Sequence, residues 1–401
     1  MKTDGKNLYS YSEESREIRI VRASDLILEN TIKLPDTFSS VQLYLSSGKL
    51  VAVGQKYSQS GNMYTSRWYA PEMKTVVAIY RISDPAKPVL ERYNQIDGSY
   101  RDSRIVGGIL YLVSTSDMRL PPIYMNTYSK NTNGFSEVLS AVKKDFSIKS
   151  LAPEIRESYL SSKGKYLQNI RSSVANCKDV TFVFPDPKTL KNIEFNPALI
   201  SLSSLDLSNA TAKMKSELLF GDVSQIHMSQ SSLYITSTIS QTSSASSCPP
   251  NAKCFAPSYT PTSSTLVHRY ALKNGGLVYQ YTSSVPGNPM TQYSMDEDAS
   301  GNFRLVTQNY AWSSGTNKNT TELSVISPSG KVIGSLKNIA PGENFQSARF
   351  IADRLYLVTF EQIDPLFVIS LADPKSPKIL GELKIPGYST YLHPYDTDRL
   401  I

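Results

Sequence analysis

The sharpest cluster of acidic side chains in this sequence is Asp296-Glu297-Asp298, which is followed by Ala299-Ser300-Gly301. Carboxylate oxygens are good Ca²⁺ ligands. Calcium loops, however, place their ligands at alternating positions and end with a bidentate glutamate, and this segment lacks that pattern. A charged hairpin turn is therefore the favoured interpretation. A metal site built from Asp296, Glu297 and Asp298 is the alternative.

A histidine and an aspartate stand close together in His393-Pro-Tyr-Asp396. Such a pair could serve acid–base catalysis, but no nucleophile motif of the G-x-S-x-G type accompanies it. We also find no metal-ligand set and no cofactor motif in the sequence. We therefore interpret His393 as a hydrogen-bonded structural residue, and we predict no catalytic residue and no cofactor.

Cys248 and Cys254 enclose five residues in a loop rich in Ser, Thr and Pro, 240–264. A small loop closed by a disulfide is typical of an oxidising compartment, so we predict a Cys248–Cys254 bond, with free thiols as the alternative. A zinc site would need two further ligands at close spacing, and none is near. The remaining cysteine, Cys177, is predicted to be a structural thiol that is at least partly buried.

Aromatic residues are frequent in segment 56–74, where Tyr64, Trp68 and Tyr69 lie close together. Exposed aromatic side chains bind glycans or protein partners, and these three are our candidate binding residues. The alternative is that they pack against one another and anchor the loop.

The elements that must position these residues repeat along the chain. A turn containing Gly, Asp, Asn or Ser is followed by a short apolar strand, whose first apolar residue is Leu8, Leu50, Leu110, Leu233, Phe303, Leu355 or Leu400. From Leu8 to Leu50 the step is 42 residues, and from Leu355 to Leu400 it is 45. These steps match the period of about 40–50 residues of a four-stranded propeller blade, and the longer steps require insertions.

The second half of each unit repeats as well. Val76–Pro88 parallels Leu366–Pro377, since both run from an apolar strand into an Asp-Pro-x-x-Pro turn. Proline fixes φ at the second position of such a turn. The sequence therefore predicts an all-β fold, a β-propeller of four-stranded antiparallel blades that forms one domain over residues 1–401 and stacks its blades in a ring.

We predict about six blades plus partial ones. Four are complete: 38–96, 223–282, 290–338 and 345–385. A fifth spans 100–219 and carries a large insertion between its second and third strands. The first, near 7–34, is expected to lack its innermost strand, and a last one begins before Ile401.

The insertion, 115–196, does not follow the blade pattern. Apolar residues of Phe135–Val142 recur at helical spacing, and Pro153 stands at a favourable first helical position before Glu154–Leu160. We therefore expect a partly helical insertion packed on one rim. It serves either as a lid or partner-binding device or as a structural cap.

Charge and hydropathy exclude two classes of function. The chain has 42 Lys and Arg against 35 Asp and Glu, a net charge of +7, but the basic residues are spread over its whole length. Nucleic-acid binding calls for a concentrated basic stripe, so we predict no nucleic-acid partner. No run of 18 apolar residues occurs, so we predict no membrane span. No signal peptide is recognised at Met1.

With the repeats in hand, the chain resembles the bacterial and archaeal secreted proteins with a C-terminal β-propeller domain, which are distantly related to WD40 repeats. Lys2–Tyr9 is similar to the family's opening segment, and Gln292–Glu297, Ser347–Phe350 and Tyr391–Asp396 follow in the family's order. The resemblance implies a secreted or cell-surface location and no assigned catalytic activity. It also implies that the chain is truncated at both ends.

Propellers host binding and catalysis alike, so function must be argued from a site. We expect a non-catalytic extracellular or cell-surface module that binds a protein or glycan partner at the cell envelope, through one rim and the insertion. The alternative is a hydrolase acting on glycans or peptides at the central channel. Glycoside hydrolysis would require two carboxyl groups about 5–10 Å apart.

Overall fold

The computed structural model describes residues 1–34, 38–58, 72–117, 153–161, 166–173, 180–182, 193–194, 198–241, 262–310, 312–313, 316–360, 364–385, 391–396 and 399. Two compact units are distinguished in the chain. Unit 1 comprises residues 1–182, 197–221 and 274–277, and unit 2 comprises 183–196, 222–273 and 278–401. Among the described residues, no helix has the length and apolar character needed to cross a membrane.

Blade 1 of unit 1 contains four antiparallel strands in sequence order: β1 (Lys2–Thr3), β2 (Asn7–Ser12), β3 (Glu17–Arg22) and β4 (Leu28–Lys33). The expectation that this blade lacks its innermost strand is wrong, because Lys2 and Thr3 pair with Tyr9 and Leu8. A strand of two exposed residues without an apolar side chain gives no strand signal in the sequence.

Blade 2 follows the same order with longer strands: β5 (Phe38–Ser46), β6 (Lys49–Ser58), β7 (Glu72–Arg81) and β8 (Val89–Asp97). Blade 3 begins with β9 (Ser99–Val106) and β10 (Ile109–Asp117). It resumes after the insertion with β15 (Ala198–Asp206) and β16 (Lys215–Gly221). Strand β10 pairs with β15, so the second and third strands of this blade are separated in sequence by residues 118–197.

The described part of the insertion consists of strands that extend neighbouring sheets. Strand β11 (Glu154–Leu160) pairs with β8, and β12 (Tyr166–Ser173) pairs with β11, so the sheet of blade 2 has six strands. Strand β13 (Val180–Phe182) runs parallel to β16, and β14 (Ile193–Glu194) pairs with a strand of unit 2.

The predicted helix at 153–160 is wrong, because Glu154–Leu160 is extended and hydrogen-bonded to β8. Its burial alternates along the strand: Ile155 and Glu157 are buried, and the residues beside them are partly exposed. A free sheet edge offered this short segment backbone partners, and tertiary context of this kind overrides a local preference. The other predicted helix, Phe135–Val142, lies outside the described residues.

Unit 2 contains three further blades. Blade 4 comprises β17 (Gln225–Met228), β18 (Ser232–Gln241), β19 (Thr262–Lys273) and β20 (Gly276–Pro286). A 3₁₀ turn (Gln292–Ser294) leads into blade 5, with β21 (Met295–Glu297), β22 (Phe303–Asn309), β25 (Thr320–Ile326) and β26 (Val332–Ile339). The short pair β23 (Trp312–Ser313) and β24 (Thr316–Asn317) lies between β22 and β25. Blade 6 comprises β27 (Asn344–Ile351), β28 (Arg354–Phe360), β29 (Asp364–Ser370) and β30 (Lys378–Ile385).

The central strand β6 is apolar on both faces because blade 2 is covered on both faces. In β6, the fully buried Leu50 packs with Tyr9 of blade 1, whereas its neighbour Val51 packs with Leu110 of blade 3. Successive side chains of a strand point to opposite faces of the sheet. Continuous apolar runs in the sequence are therefore explained by the packing of one blade against the next.

The aspartates of the outer turns accept hydrogen bonds from backbone amides of the same turns. The Asp84 carboxylate accepts a hydrogen bond from the Ala86 amide at 3.1 Å, and Asp373 accepts one from the Lys375 amide at 3.0 Å. Asp4, in a hairpin turn, accepts from the amides of Lys6 and Asn7. These carboxylates form Asx-turns, which is the local structure that an aspartate before Pro or Gly favours.

Candidate functional site

The first strands of three blades share an irregularity near the same point. In β9, Asp102 pairs with Val113 and Tyr100 with Ser114, so Arg101 is one residue in excess. Strand β5 has the same one-residue excess at 40–41, and β27 has it at 346. Bulges of this kind redirect side chains and are frequent beside functional sites.

A cleft of about 700 Å³ in unit 1 is formed by the first strands of blades 1, 2 and 3. Its lining residues are polar or charged except for two: Lys2, Thr3, Gln42, Tyr44, Leu45, Tyr100, Arg101, Asp102, Ser103, Arg104 and Ile105. We refer to this feature as the first-strand cleft. Its volume lies within the range of about 300–1,000 Å³ that small-molecule sites occupy.

Two tyrosines and a serine form a hydrogen-bonded group within the cleft. The Tyr44 hydroxyl donates to the Ser103 carbonyl oxygen at 2.6 Å and lies 2.9 Å from the Ser103 Oγ. The Tyr100 hydroxyl lies 2.8 Å from the same Oγ. Burial raises the pKa of both phenols, so they stay protonated. The group is neutral and ties β5 to β9.

Asp102 is the carboxylate of the cleft lining. Its Oδ1 atom accepts a hydrogen bond from the Ser103 amide at 2.8 Å. Burial raises the pKa of Asp102, and the Ser103 amide and the charge of Arg104 lower it in part. A partly desolvated carboxylate with a free lone pair is a strong acceptor for a ligand hydroxyl.

Three cations share the cleft with this carboxylate. The Lys2 amine lies 5.7 Å from the centre of the Tyr44 ring, and the Arg101 Nε donates to the Thr115 hydroxyl at 3.1 Å. Arg104 follows Ser103 on the same strand. With Lys2, Arg101 and Arg104 against Asp102, the described lining carries a formal charge of +2.

This arrangement is suited to binding a polar ligand. A carboxylate, an amide, three cationic side chains and two phenols line it, and they come from three strands. The described lining supplies one carboxyl group, whereas glycoside hydrolysis requires two.

The carboxylates of the acidic cluster Asp296-Glu297-Asp298 have separate partners. Asp296 forms an ion pair with Arg304, whose Nε lies 2.9 Å from the Asp296 Oδ2. Asp298 accepts hydrogen bonds from the amides of Ser300 and Asn302 in its own hairpin turn. Among the described residues, no group of three His, Cys, Asp or Glu side chains is arranged to hold a metal ion.

Glu297 is buried between blades 4 and 5. It accepts hydrogen bonds from the hydroxyls of Ser229, Ser231 and Ser232, and its Oε1 lies 3.6 Å from an Arg269 nitrogen. The Glu297 side chain therefore links blade 5 to blade 4.

The other predicted site residues are only partly described. Tyr64, Trp68, Tyr69 and the cysteines Cys177, Cys248 and Cys254 lie outside the described residues, and the predictions for them stand as they were. Asp396 pairs with Arg399 at 2.6 Å, and the His393 ring lies 6.1 Å from that of Tyr391.

The cleft residues themselves were missed from sequence. Lys2, Tyr44 and Arg104 each stand three residues before the hairpin turn of their blade, at Gly5, Ser47 and Gly107. The available signal was the polar strand 99–104, which stands before a strongly apolar one. This polar run indicated an unusual first strand. It could not show which strands of other blades face that strand.

Comparison with known families was decisive for the architecture. The profile of the beta propeller domain matches residues 1–401. The chain belongs to the beta propeller domain family. The predicted β-propeller and its four-stranded blades are thereby confirmed, in agreement with the sheet order observed here.

Two archaeal proteins are similar to this β-propeller in sequence. An uncharacterised protein of Methanocaldococcus jannaschii is 26% identical over 98% of the chain. An uncharacterised protein of Archaeoglobus fulgidus is 37% identical over 30% of the chain. The chain spans 64% of the length of the first relative and 18% of the second.

Solved structures resemble the chain only at a low level. A variant of the Synechocystis apocarotenoid oxygenase has a TM-score of 0.33 at 10% identity, covering 96% of this chain and 71% of its own. A dihydro-heme d1 dehydrogenase has a TM-score of 0.29 at 10% identity, covering 96% and 75%. Likeness at this level supports no argument about activity.

Proposed function

We propose that this β-propeller is a non-catalytic binding module of the cell surface or secreted space, and that its ligand binds in the first-strand cleft. The observation that carries the proposal is the composition of that cleft. Hydrogen-bonding and charged groups converge from three strands, and one carboxylate stands among them. The ligand is a glycan or a protein of the cell envelope.

Binding is tested with a glycan and peptide array probed by the wild-type protein and by two cleft variants. Tyr44→Phe removes the hydroxyl that donates to Ser103, and Asp102→Asn removes the carboxylate charge. We expect each variant to bind the captured ligand about tenfold more weakly. Arg19→Gln, on an exposed position of β3, is the matched control. Equal binding by all four proteins would contradict the cleft assignment.

The insertion is a separate candidate contact device. Its described strands β11 and β12 pair with the edge of blade 2, which supports a structural role for that part. A variant lacking 118–152 keeps both strands. Ligand binding that survives this deletion would assign recognition to the cleft, whereas its loss in a folded variant would assign recognition to the insertion.

The proposed location has its own test. The resemblance to secreted propeller proteins and the predicted Cys248–Cys254 disulfide support an oxidising, extracellular setting. Thiol labelling before and after reduction, on protein fractionated from the source cells, measures both properties. A cytoplasmic protein with all three thiols free would overturn this part of the proposal.

A hydrolase acting on glycans or peptides is the second candidate, and one observation favours it. Burial raises the pKa of Asp102, and a carboxyl group that retains its proton can act as a general acid. Release of product from an array ligand by the wild type, and loss of release in Asp102→Asn with binding retained, would favour catalysis over binding alone.

A further inference from the structure

Two asparagines of this chain stand in the acceptor sequence for N-linked glycans, in which one residue other than proline separates the asparagine from a serine or threonine. They are Asn209, before Ala210 and Thr211, and Asn319, before Thr320 and Thr321. The motif is short and recurs by chance, so the structure around each asparagine decides between them. We infer that Asn209 is a glycosylation site of the folded protein and that Asn319 is not.

The first acceptor sequence lies in the turn between β15 and β16 of blade 3. Asn209 and Thr211 are both exposed. The Ala212 amide donates to the Asn209 carbonyl oxygen at 3.1 Å, which closes the turn. On the inner side, the buried Arg92 side chain donates to the carbonyl oxygens of Ala210 and Ala212. The backbone of the turn is thus held in place, and the two side chains of the acceptor sequence are accessible from solvent.

The side chain of Asn209 is held by its oxygen, and its nitrogen is left available. The Asn209 Oδ1 accepts hydrogen bonds from the Thr211 amide at 3.0 Å and from the Thr211 hydroxyl at 3.1 Å. The Asn209 Nδ2, the atom to which a glycan is attached, has no hydrogen bond to a described residue. Hydrogen bonds to the oxygen of an amide draw electron density from its nitrogen, so its N–H groups lose a proton more readily. The acceptor atom is therefore both exposed and activated.

The second acceptor sequence has the opposite arrangement. Asn319 is 7% exposed, and its Nδ2 donates to the Asn344 Oδ1 at 2.7 Å. Thr321, in β25, is fully buried. Attachment of a glycan would require the Asn319 Nδ2 to lose this bond and the packed side chains around it to open. A transferase that acts on the folded protein therefore reaches Asn209 and does not reach Asn319.

The reaction transfers an oligosaccharide from a polyprenyl phosphate carrier. The Asn209 Nδ2 forms a bond to the anomeric carbon of the first sugar and loses one proton. The bond between that carbon and the phosphate oxygen of the carrier breaks, and the phosphate leaves with the bonding electrons. The step needs neither an oxidant nor a reductant. A transferase of the cell catalyses it, and this chain supplies the acceptor.

The inference rests on the location given in the proposed function, because N-linked glycans are carried by the surface loops of secreted proteins. It does not depend on ligand binding in the first-strand cleft. In the sheet of blade 3, β10 separates β15 from β9, the strand that lines the cleft. A glycan on Asn209 is thus attached at the outer part of the blade. Glycosylation and ligand binding can therefore fail separately.

The test is peptide mass spectrometry of the whole chain, isolated from the cell-surface, extracellular and cytoplasmic fractions of its source cells. We expect the peptide that contains Asn209 to carry a mass increase of whole sugar residues in the first two fractions. The peptide that contains Asn319 is expected to be unmodified in every fraction. Comparison of the two peptides within one sample excludes differences in yield between preparations.

Two substitutions of Thr211 assign the modification to this acceptor sequence. Thr211→Ala keeps the asparagine and removes the hydroxyl, and we expect it to lose the sugar from Asn209. Thr211→Ser keeps a hydroxyl at the same position and is the matched control, which is expected to retain the sugar. Because Thr211 is exposed, both variants are expected to melt within a few degrees of each other when produced without glycan. If Thr211→Ala does not fold, Asn209→Gln replaces it.

The fractions separate this inference from the proposed function. An unmodified Asn209 in protein from the cell surface or the medium overturns the inference and leaves the binding module and its location intact. An unmodified Asn209 in protein found only in the cytoplasm overturns the inference together with the proposed location. Sugar on Asn319 overturns the selection by burial, and sugar retained in Thr211→Ala overturns the role of the Thr211 hydroxyl.

Discussion

At the scale of single residues, the buried histidine of blade 4 shows how burial sets a protonation state. His268 is 1% exposed, and its two ring nitrogens lie 3.1 Å from the Ser237 hydroxyl and 2.8 Å from the Thr282 hydroxyl. A neutral imidazole donates with one nitrogen and accepts with the other, and hydroxyls suit both. The cross-strand row of three polar side chains therefore holds an uncharged ring.

We predict that this ring makes the fold sensitive to acid. Burial lowers the pKa of His268 to about 4, from about 6.5 in the unfolded chain. Between these values the unfolded state binds more protons, so the free energy of unfolding falls as the pH drops from 6.5 to 4. The loss is about 3 kcal/mol at most, since one pKa unit corresponds to about 1.4 kcal/mol.

Urea unfolding of the wild type and of His268→Gln between pH 4 and 7 measures this effect. Glutamine keeps a donor and an acceptor and cannot take up the proton. We expect its unfolding free energy to be less dependent on pH over this window. Parallel pH profiles of the two proteins would show that other groups cause the acid sensitivity.

A second buried group, the ion pair of Arg92 and Glu157, fastens the insertion to unit 1. The two side chains are 2% and 4% exposed and 2.7 Å apart. Arg92 also donates to the carbonyl oxygens of Ala210 and Ala212, and Glu157 accepts from the Met214 amide at 2.9 Å. Strand β8, strand β11 and the turn before β16 are thus joined at one point.

We predict that Glu157→Gln lowers the free energy of unfolding by about 3–5 kcal/mol, because it leaves the Arg92 charge buried without its counter-ion. Glu154→Gln on the same strand is the control: its pair with Arg156 is about one-third exposed, and such pairs contribute about 1 kcal/mol or less. Denaturant unfolding compares them. Equal effects of the two substitutions would contradict a special role for the buried pair.

At the scale of elements, the bulges of the first strands depend on the strands opposite them. In blade 2, Gly54 faces the extra residue of β5, and a Cβ at this position would lie 2.6 Å from the Ser39 carbonyl oxygen. Real Cβ atoms do not approach backbone oxygen so closely. The glycine therefore permits the bulge, which in turn sets how β5 presents Gln42 and Tyr44 to the cleft.

We predict that Gly54→Ala destabilises the protein by about 1–3 kcal/mol, as overpacking does, and weakens ligand binding at the cleft. Gly381→Ala in β30 is a matched control, because a Cβ there meets nothing within 4 Å. It is expected to be neutral or slightly stabilising. Thermal melts measure the stability of both variants, and calorimetric titration measures their ligand affinity. A Gly54→Ala protein as stable as the wild type would contradict the role given to Gly54 in the bulge.

Sequence predicts the elements of this molecule better than it predicts how they meet. The strands of blades 2 to 6 follow from turn residues such as Asp84 and Asp373, whose local chemistry acts within a few residues. The strand Glu154–Leu160 was mistaken for a helix because its partner β8 is an edge about 60 residues away in sequence. Likewise, the hydrogen-bonded group of Tyr44, Tyr100 and Ser103 exists only because β5 and β9 are in contact. No residue spacing in the sequence predicts that contact.

At the scale of the whole molecule, stacking of blades explains why a sequence of modest hydrophobicity folds. In unit 2, strand β22 serves two cores at once, because Leu305 packs with Tyr234 of blade 4 and its neighbour Val306 packs with Leu355 of blade 6. Apolar residues are 40% of the chain, and they are concentrated in these strands.

The distribution of that surface charge leads to a prediction about salt. The net charge of +7 is spread over 401 residues, whereas Lys2, Arg101 and Arg104 all line the first-strand cleft. Long-range attraction by the whole surface is screened once the Debye length falls to about 8 Å, at about 0.15 M salt. Direct contacts within a cleft are screened much less.

We therefore expect the affinity for an anionic ligand of the cleft to decrease only gradually between about 0.15 M and 1 M salt, while the association rate falls mainly below about 0.15 M. Stopped-flow and calorimetric titrations over this range separate the two effects. Arg101→Gln should lower the affinity at every salt concentration, whereas Arg19→Gln should affect only the rate at low salt. Complete loss of wild-type binding by about 0.15 M would mean that the overall charge attracts the ligand and that the cleft does not hold it.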